Sequence, residues 1–140
     1  MISPLQLGAT LYMPATRTDL HRALFSGRIA GLRSAVICLE DAVAARDVPA
    51  GLRNLACLLR AVPAQATPLL FVRPRDPAML GHILRLPGTE RIAAFVLPKA
   101  TADTLPLYLR QPLLPEHRLM PTLETAEAFN LRELHRLLDQ

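Results

Sequence analysis

The residues of this chain best suited to chemistry share one placement: each follows an apolar run. Glu40 and Asp41 follow Ala35-Val36-Ile37-Cys38-Leu39, and Arg73 and Arg75 follow Leu70-Phe71-Val72. Lys99 follows Phe95-Val96-Leu97-Pro98, Glu124 follows Leu119-Met120-Pro121-Thr122-Leu123, and an earlier run ends in Pro14-Ala15-Thr16-Arg17. Carboxylates such as Glu40, Asp41 and Glu124 hold a hard divalent cation directly or through its water. Guanidinium and ammonium groups such as Arg73, Arg75 and Lys99 meet an anionic substrate. Together they describe a site for a Mg²⁺-chelated substrate bearing a carboxylate or acyl phosphate. Lys99 is also the only lysine among 16 basic residues. A chain that otherwise uses arginine for solvated charge has a reason to place an ammonium there. Blander roles compete: Asp41 and Glu124 could each favour a helix N-terminus, and Arg75 could be a solvated loop charge.

Residues so dispersed meet only if the chain gathers the ends of its apolar runs. Five runs have the continuous character of buried parallel strands: 9–13, 34–39, 68–72, 92–97 and 118–123. A segment of helical spacing follows each. These segments carry Leu20, Ala23, Leu24 and Ile29; Leu52, Leu55, Leu58, Leu59 and Val62; Met79, Ile83 and Leu86; Leu105, Leu107 and Leu109; and Ala128, Leu131, Leu134, Leu137 and Leu138. Thr18, Asp47, Asp76 and Thr101 are the expected N-caps, with Pro77 at a favoured first helical position. Pro87-Gly88 is expected to end the third helix. The strands recur every 25–33 residues or so, roughly the size of a compact βαβ unit. Strict alternation implies an α/β fold with a parallel sheet, either open and doubly wound or part of a closed barrel. In both, the C-terminal strand ends share the edge where active sites lie.

Composition narrows the function classes. With 51% hydrophobic residues over 140 positions, one domain with a real core is expected. A net charge of +4 raises the question of nucleic acid, but the arginines are scattered and only 4% of residues are aromatic. Little is left to stack on bases, so no nucleic-acid partner is expected. No apolar run approaches the roughly 18 residues of a membrane span, and Met1-Ile2-Ser3-Pro4 lacks a basic secretory start. A cytoplasmic chain with no membrane partner is therefore expected. Cys38 and Cys57 fit no metal-ligand spacing and read as buried free thiols of a reducing compartment. His21, His82, His117 and His135 read as surface histidines. Glycine-rich phosphate loops and the Gly-x-Ser-x-Gly nucleophile motif are absent from the sequence.

The succession Leu11-Tyr12-Met13-Pro14-Ala15, then Ala35 through Val43 with Glu40-Asp41 inside it, resembles the opening of citrate lyase beta-subunit-like proteins of the HpcH/HpaI aldolase/citrate lyase family. Phe71-Val72-Arg73-Pro74, Phe95-Val96-Leu97-Pro98-Lys99 and Leu123-Glu124-Thr125-Ala126 follow in the family's order and approximate spacing. No motif is specific alone, but five in register cover almost the whole chain. The Tyr-Met-Pro-Ala-Thr-Arg opening is most similar to a branch of C–C bond lyases found beside stress-response genes. The resemblance implies the first five βα units of a (β/α)₈ TIM barrel and a Mg²⁺-dependent lyase or aldolase. The substrate would be a small carboxylate, a 2-oxo acid or an acyl-CoA.

By motif, Glu124 would be a direct metal ligand, while Glu40 and Asp41 would act on the metal through water. Arg73 would bind the substrate and take part in catalysis, with Lys99 and Asp41 as further catalytic groups and Pro14 and Arg75 as substrate contacts. A homo-oligomer is expected of the complete enzyme. Three departures point away from acyl-CoA and toward a different acid substrate or weakened catalysis: Ala9-Thr10 where the family has Arg-Ser, Arg75 where it has asparagine, and Glu127-Ala128-Phe129 without the usual glycine. The family's second metal-binding aspartate follows a sixth strand, which would lie beyond Gln140. Residues 1–140 are thus expected to be the N-terminal part of a single barrel domain, truncated and with little activity alone. The alternative expectation is a non-catalytic interaction protein derived from the family's front half.

Overall fold

The computed structural model describes residues 4–63 and 67–140. Residues 1–3, on which the leader expectation partly rests, lie outside them. All five apolar runs become strands: β1 (Leu11–Pro14), β2 (Ser34–Cys38), β3 (Leu69–Arg73), β4 (Ile92–Leu97) and β5 (Arg118–Pro121). Between and after them come α1 (Leu20–Phe25), α2 (Val48–Ala61), α3 (Pro77–Ile83), α4 (Leu105–Leu109) and α5 (Leu131–Leu138). The strands form one open sheet in the order β1-β2-β3-β4-β5, with every neighbouring pair parallel. The expected α/β architecture of five parallel units is what forms.

The central strands β2, β3 and β4 are buried on both faces, which explains why their runs are apolar without alternation. On the outer face Met13, Ile37, Leu39, Val72, Phe95 and Leu97 share one core with Leu55, Leu58 and Leu59 of α2 and with Leu80 and Ile83 of α3. Each such buried side chain contributes about 1.5–3 kcal/mol relative to an exposed one. On the inner face Val36, Phe71, Ala94 and Val96 form a smaller cluster, closed by Leu7, Leu69 and Met120. Polar bonds seal its base. Ser34 Oγ lies 2.8 Å from both the Leu7 carbonyl and Thr10 Oγ1.

Several local expectations are corrected. The first helix begins after Asp19 rather than Thr18 and stops at Phe25, short of Ile29. The fourth begins after Thr104, although Thr101 still prepares the turn, because each threonine's amide donates to the other's hydroxyl, at 2.9 and 3.2 Å. In α4 the expected apolar face is reversed: Leu107 and Leu109 are exposed and Tyr108 is buried. Leu107 lies across the helix from Leu105, which packs partly against the core, whereas Tyr108, three residues on, shares that side and turns inward. Burial pushes its phenol up to about 12. The third helix ends at Ile83, and Gly88 instead opens the turn into β4 with φ 92°. A Cβ there would sit 2.8 Å from the Leu59 carbonyl oxygen. Asp76 caps α3 as expected, accepting the Met79 amide at 2.7 Å. Asp47 precedes α2 but makes no side-chain cap.

Cys38 is buried, whereas Cys57 is exposed on α2 beside Arg60. His117 is not a surface histidine. It is buried edge-on against Phe95, its Nδ1 accepting the Leu114 amide and its Nε2 meeting the Thr89 carbonyl at 2.9 Å. Among the described residues no helix is long and apolar enough to cross a membrane.

Candidate active site

Parallel pairing decides which side chains meet. Cys38 pairs with Arg73, so the last residue of β3 stands beside the end of β2. Glu40 lies two residues beyond Cys38 and keeps to the same face. The result is a buried pair at the C-terminal edge: Arg73 Nε donates to Glu40 Oε2 at 3.1 Å, with Nη2 at 2.9 Å from the same oxygen. Arg73 Nη2 also donates to Glu124 Oε1 at 2.7 Å and lies 3.5 Å from Asp41 Oδ2. Above this floor Lys99 Nζ bonds Glu40 Oε1 and reaches Asp41 Oδ1 at 3.2 Å. Burial grades upward, the Glu40 and Arg73 side chains being 8% and 9% exposed against 55% for Lys99 and 70% for Asp41.

Glu124 hangs from a shorter strand, yet its two oxygens differ sharply. Oε1 receives Arg73 Nη2 and the Lys99 main-chain N–H at 3.0 Å. Thr122 Oγ1 lies 3.0 Å from Oε1 and 2.8 Å from the Leu97 carbonyl, and its single proton can serve only one of them. Oε2 has no hydrogen bond among the described residues. The Lys99 amide reaches Glu124 from a left-handed backbone, φ 49°, the only non-glycine residue so placed among those described. Such a conformation costs a β-carbon-bearing residue about 1–2 kcal/mol.

The electrostatics follow from these contacts. Desolvation opposes the Arg73 charge, but Glu40 and Glu124 outweigh it and hold the guanidinium above its ordinary value. Hydrogen bonds donated to Glu40 and then Asp41 raise the Lys99 ammonium. Asp41 is lowered by hydrogen bonding with Glu40 and then Lys99. For Glu124 desolvation pushes upward, and the Lys99 amide, the Thr122 hydroxyl and the Arg73 charge together bring it below the usual range.

Glu40, Asp41, Arg73, Lys99 and Glu124 are thus one cluster, drawn from four strand ends. Pro14 ends β1 on the edge next to Cys38, but among the described residues its carbonyl accepts the Arg17 amide and not a donor of the charged group. Arg75 does not join the cluster. Its Nη1 donates to the Val43 carbonyl at 3.1 Å and braces the loop after Asp41, because its loop passes over that carbonyl. Two contributors escaped the sequence reading. Thr122 could have been found from alternation, since it shares a strand face with Glu124. Asn54 could not. It sits on α2 and fastens the β1–α1 loop through the Ala15 and Arg17 carbonyls at 3.0 and 3.1 Å, a tertiary contact without a local signature.

Among the described residues no three His, Cys, Asp or Glu side chains are gathered to hold a metal ion by themselves. Mg²⁺ asks for less, being bound by one or two carboxylates while keeping several waters. The open Oε2 of Glu124 and the exposed Asp41 are hard oxygen donors that fit this demand.

The family described as C–C bond lyase of the TIM-barrel fold matches the chain over residues 1–140. No curated protein matches it. Among solved structures, the protein CitE from Mycobacterium tuberculosis, in complex with magnesium and acetoacetate, is similar at 26% identity and a TM-score of 0.57. That match covers 84% of this chain and 44% of the other. The citrate lyase beta subunit from the same organism, complexed with oxaloacetate and magnesium, aligns at 24% identity, with a TM-score of 0.58, over 84% of this chain and 47% of its own. This chain therefore spans about half the length of the structures it matches.

Proposed function

This chain belongs to the C–C bond lyase family of the TIM-barrel fold, and from that premise we propose that it supplies the first five units of a Mg²⁺-dependent enzyme making or breaking a carbon–carbon bond beside a carboxylate. The observation that carries the reading is the asymmetry of Glu124: one oxygen is held by donors and the other is left open beside the Arg73 guanidinium. Glu124 Oε2 would hold the metal, with Asp41 and Glu40 ordering its waters. Bound there, Mg²⁺ would supply Lewis-acid stabilisation of negative charge developing on a substrate carbonyl oxygen. Nη1 of Arg73 meets none of the three carboxylates, with Tyr12 a further hydrogen-bond partner of the guanidinium, and is the donor that would clamp a substrate carboxylate while Nε and Nη2 stay locked. The likeness to a structure holding magnesium and acetoacetate supports a small oxo acid as the substrate class.

A lysine-imine mechanism fits poorly. Imine formation needs a free amine. The only lysine is raised above its ordinary value by Glu40 and Asp41 and offers an ammonium instead. Borohydride reduction in the presence of an oxo acid should leave no adduct on Lys99.

A second reading, a non-catalytic interaction protein, draws on the pairing of all three carboxylates with Arg73 or Lys99. Calorimetric titration with Mg²⁺ separates the two. Saturable binding weaker than micromolar, lost in Glu124→Gln, supports the enzyme reading. No binding by the wild-type chain supports the second.

A further inference from the structure

The salt-bridged cluster is not neutral. Glu40, Asp41 and Glu124 bring three negative charges, and Arg73 and Lys99 bring two positive ones. One negative unit remains. A divalent cation alone overshoots to one positive unit, and a cation bound together with a monocarboxylate returns the cluster to neutrality. Arg75 does not alter this count, because its guanidinium lies on the Val43 carbonyl and meets none of the three acids.

Lys99 is the group that sets the balance. Its main chain and side chain together touch all three carboxylates: the N–H meets Glu124 at 3.0 Å, and Nζ meets Glu40 and Asp41. The left-handed backbone makes this double reach possible, with φ 49° at a position that would suit glycine. Glycine would keep the amide and lose the charge. The chain instead places its one ammonium there, with arginine at its fifteen other basic positions. A compact charge on a flexible stem fits between two acids, where a planar guanidinium would seek a two-pronged partner. Arg73 cannot take this role, because it is buried and fixed between Glu40 and Glu124.

We propose that Lys99 is the positioning residue that couples cation and anion binding at this site, keeping a divalent cation weakly held until a monocarboxylate binds with it. The inference rests on the magnesium-lyase reading above and goes beyond it, because it assigns the interdependence of the two ligands to one residue. Coupling of this kind is reciprocal, so each ligand tightens the other by the same factor.

The test is calorimetric titration of the full chain with Mn²⁺, without and with saturating acetoacetate, for wild type, Lys99→Met, Lys99→Gly and Lys99→Arg. In wild type acetoacetate should tighten Mn²⁺ by about tenfold, within the usual range for coupled sites. In Lys99→Met and Lys99→Gly, Mn²⁺ alone should bind severalfold more tightly and the acetoacetate effect should fall below about twofold. Lys99→Arg, which keeps the charge but not the compact fit between the two acids, should recover coupling only in part. Lys99→Gly guards against misfolding, since it relieves the left-handed backbone, and a merely structural lysine would not tighten a cation when removed. Wild-type coupling retained in Lys99→Met, with Mn²⁺ still bound, overturns this inference alone. Absence of Mn²⁺ binding in both wild type and Lys99→Met overturns the magnesium reading, and this inference with it.

Discussion

The second and fifth strands bring side chains to the same cluster, but they are held in opposite ways. All five residues of β2 are buried, and none of β5 is. Their following helices repeat the contrast. α2 buries Gly51, Leu55, Leu58 and Leu59, whereas α5 buries only Leu137 and leaves Leu131 and Leu138 each 73% exposed. Position in the sheet is the cause: β2 lies between two strands, and β5 is an edge. Glu40 is therefore placed by a packed core. Glu124 is placed by polar contacts instead, namely the Lys99 amide, Arg73 and the Thr122 bonds that prolong the β4–β5 ladder through Leu97 and Ala100. Stability and ligand geometry are thus supplied by different ends of the same sheet.

The contrast is broken most forcefully at the core. Leu55→Ala should cost about 2–5 kcal/mol in denaturant unfolding. Leu119→Ala on β5, only partly buried, should cost less than half as much. Equal losses would mean that the edge is packed as firmly as the centre.

Next in size is the cluster itself. Arg73→Ala leaves Glu40 buried without its guanidinium and should cost about 3–5 kcal/mol, as for any broken buried pair. Glu124→Gln, at the exposed end, should cost under about 1 kcal/mol while abolishing cation binding. A large loss of stability in Glu124→Gln would show that β5 depends on its carboxylate for folding.

Titration sharpens the same division. Asp41 and Glu124 lie below their ordinary values of 3.8 and 4.5, so the unfolded chain takes up protons first. Their contribution is complete above about pH 4.5 and disappears as pH falls through the lowered values. Lys99 lies above its ordinary 10.5, so its contribution is complete below that pH and is lost as pH rises through the raised value. The stability difference between wild type and Lys99→Met should be flat from about pH 5 to 10 and shrink outside that window. A slope near neutrality would place another titrating group in the cluster.

The smallest expected effect is at the surface. Phe129 is 92% exposed, and Leu131 and Leu138 on the following α5 are each 73% exposed. Phe129→Ser and Leu131→Gln together should leave unfolding unchanged within about 0.5 kcal/mol. They should reduce self-association measured by light scattering, since exposed apolar patches and free strand edges favour it. Unchanged association would assign it to the β1 edge.

What the sequence revealed follows the same line. Apolar runs buried on both faces need no partner information to be recognised, so the strands and the charges at their ends were legible. Parallel order then brings Glu40, Arg73, Lys99 and Glu124 to one edge. Features that depend on tertiary fit were not legible. Arg75 turns to Val43 because of where a neighbouring loop runs, His117 is buried by the packing of Phe95, and Tyr108 rather than Leu107 or Leu109 joins Leu105 against the core. The left-handed backbone of Lys99 is also silent in sequence, where a glycine would have announced it.

The turn from α1 to β2 carries a practical consequence. Gly27 and Gly31 bracket it with φ 74° and 71°, and a Cβ at either would meet nothing within 4 Å. The segment leads into the N-terminal end of β2, the rim opposite the charged cluster. A fluorescent tag or short epitope spliced between these two glycines would therefore ride at the opposite rim and label the chain without touching the cluster.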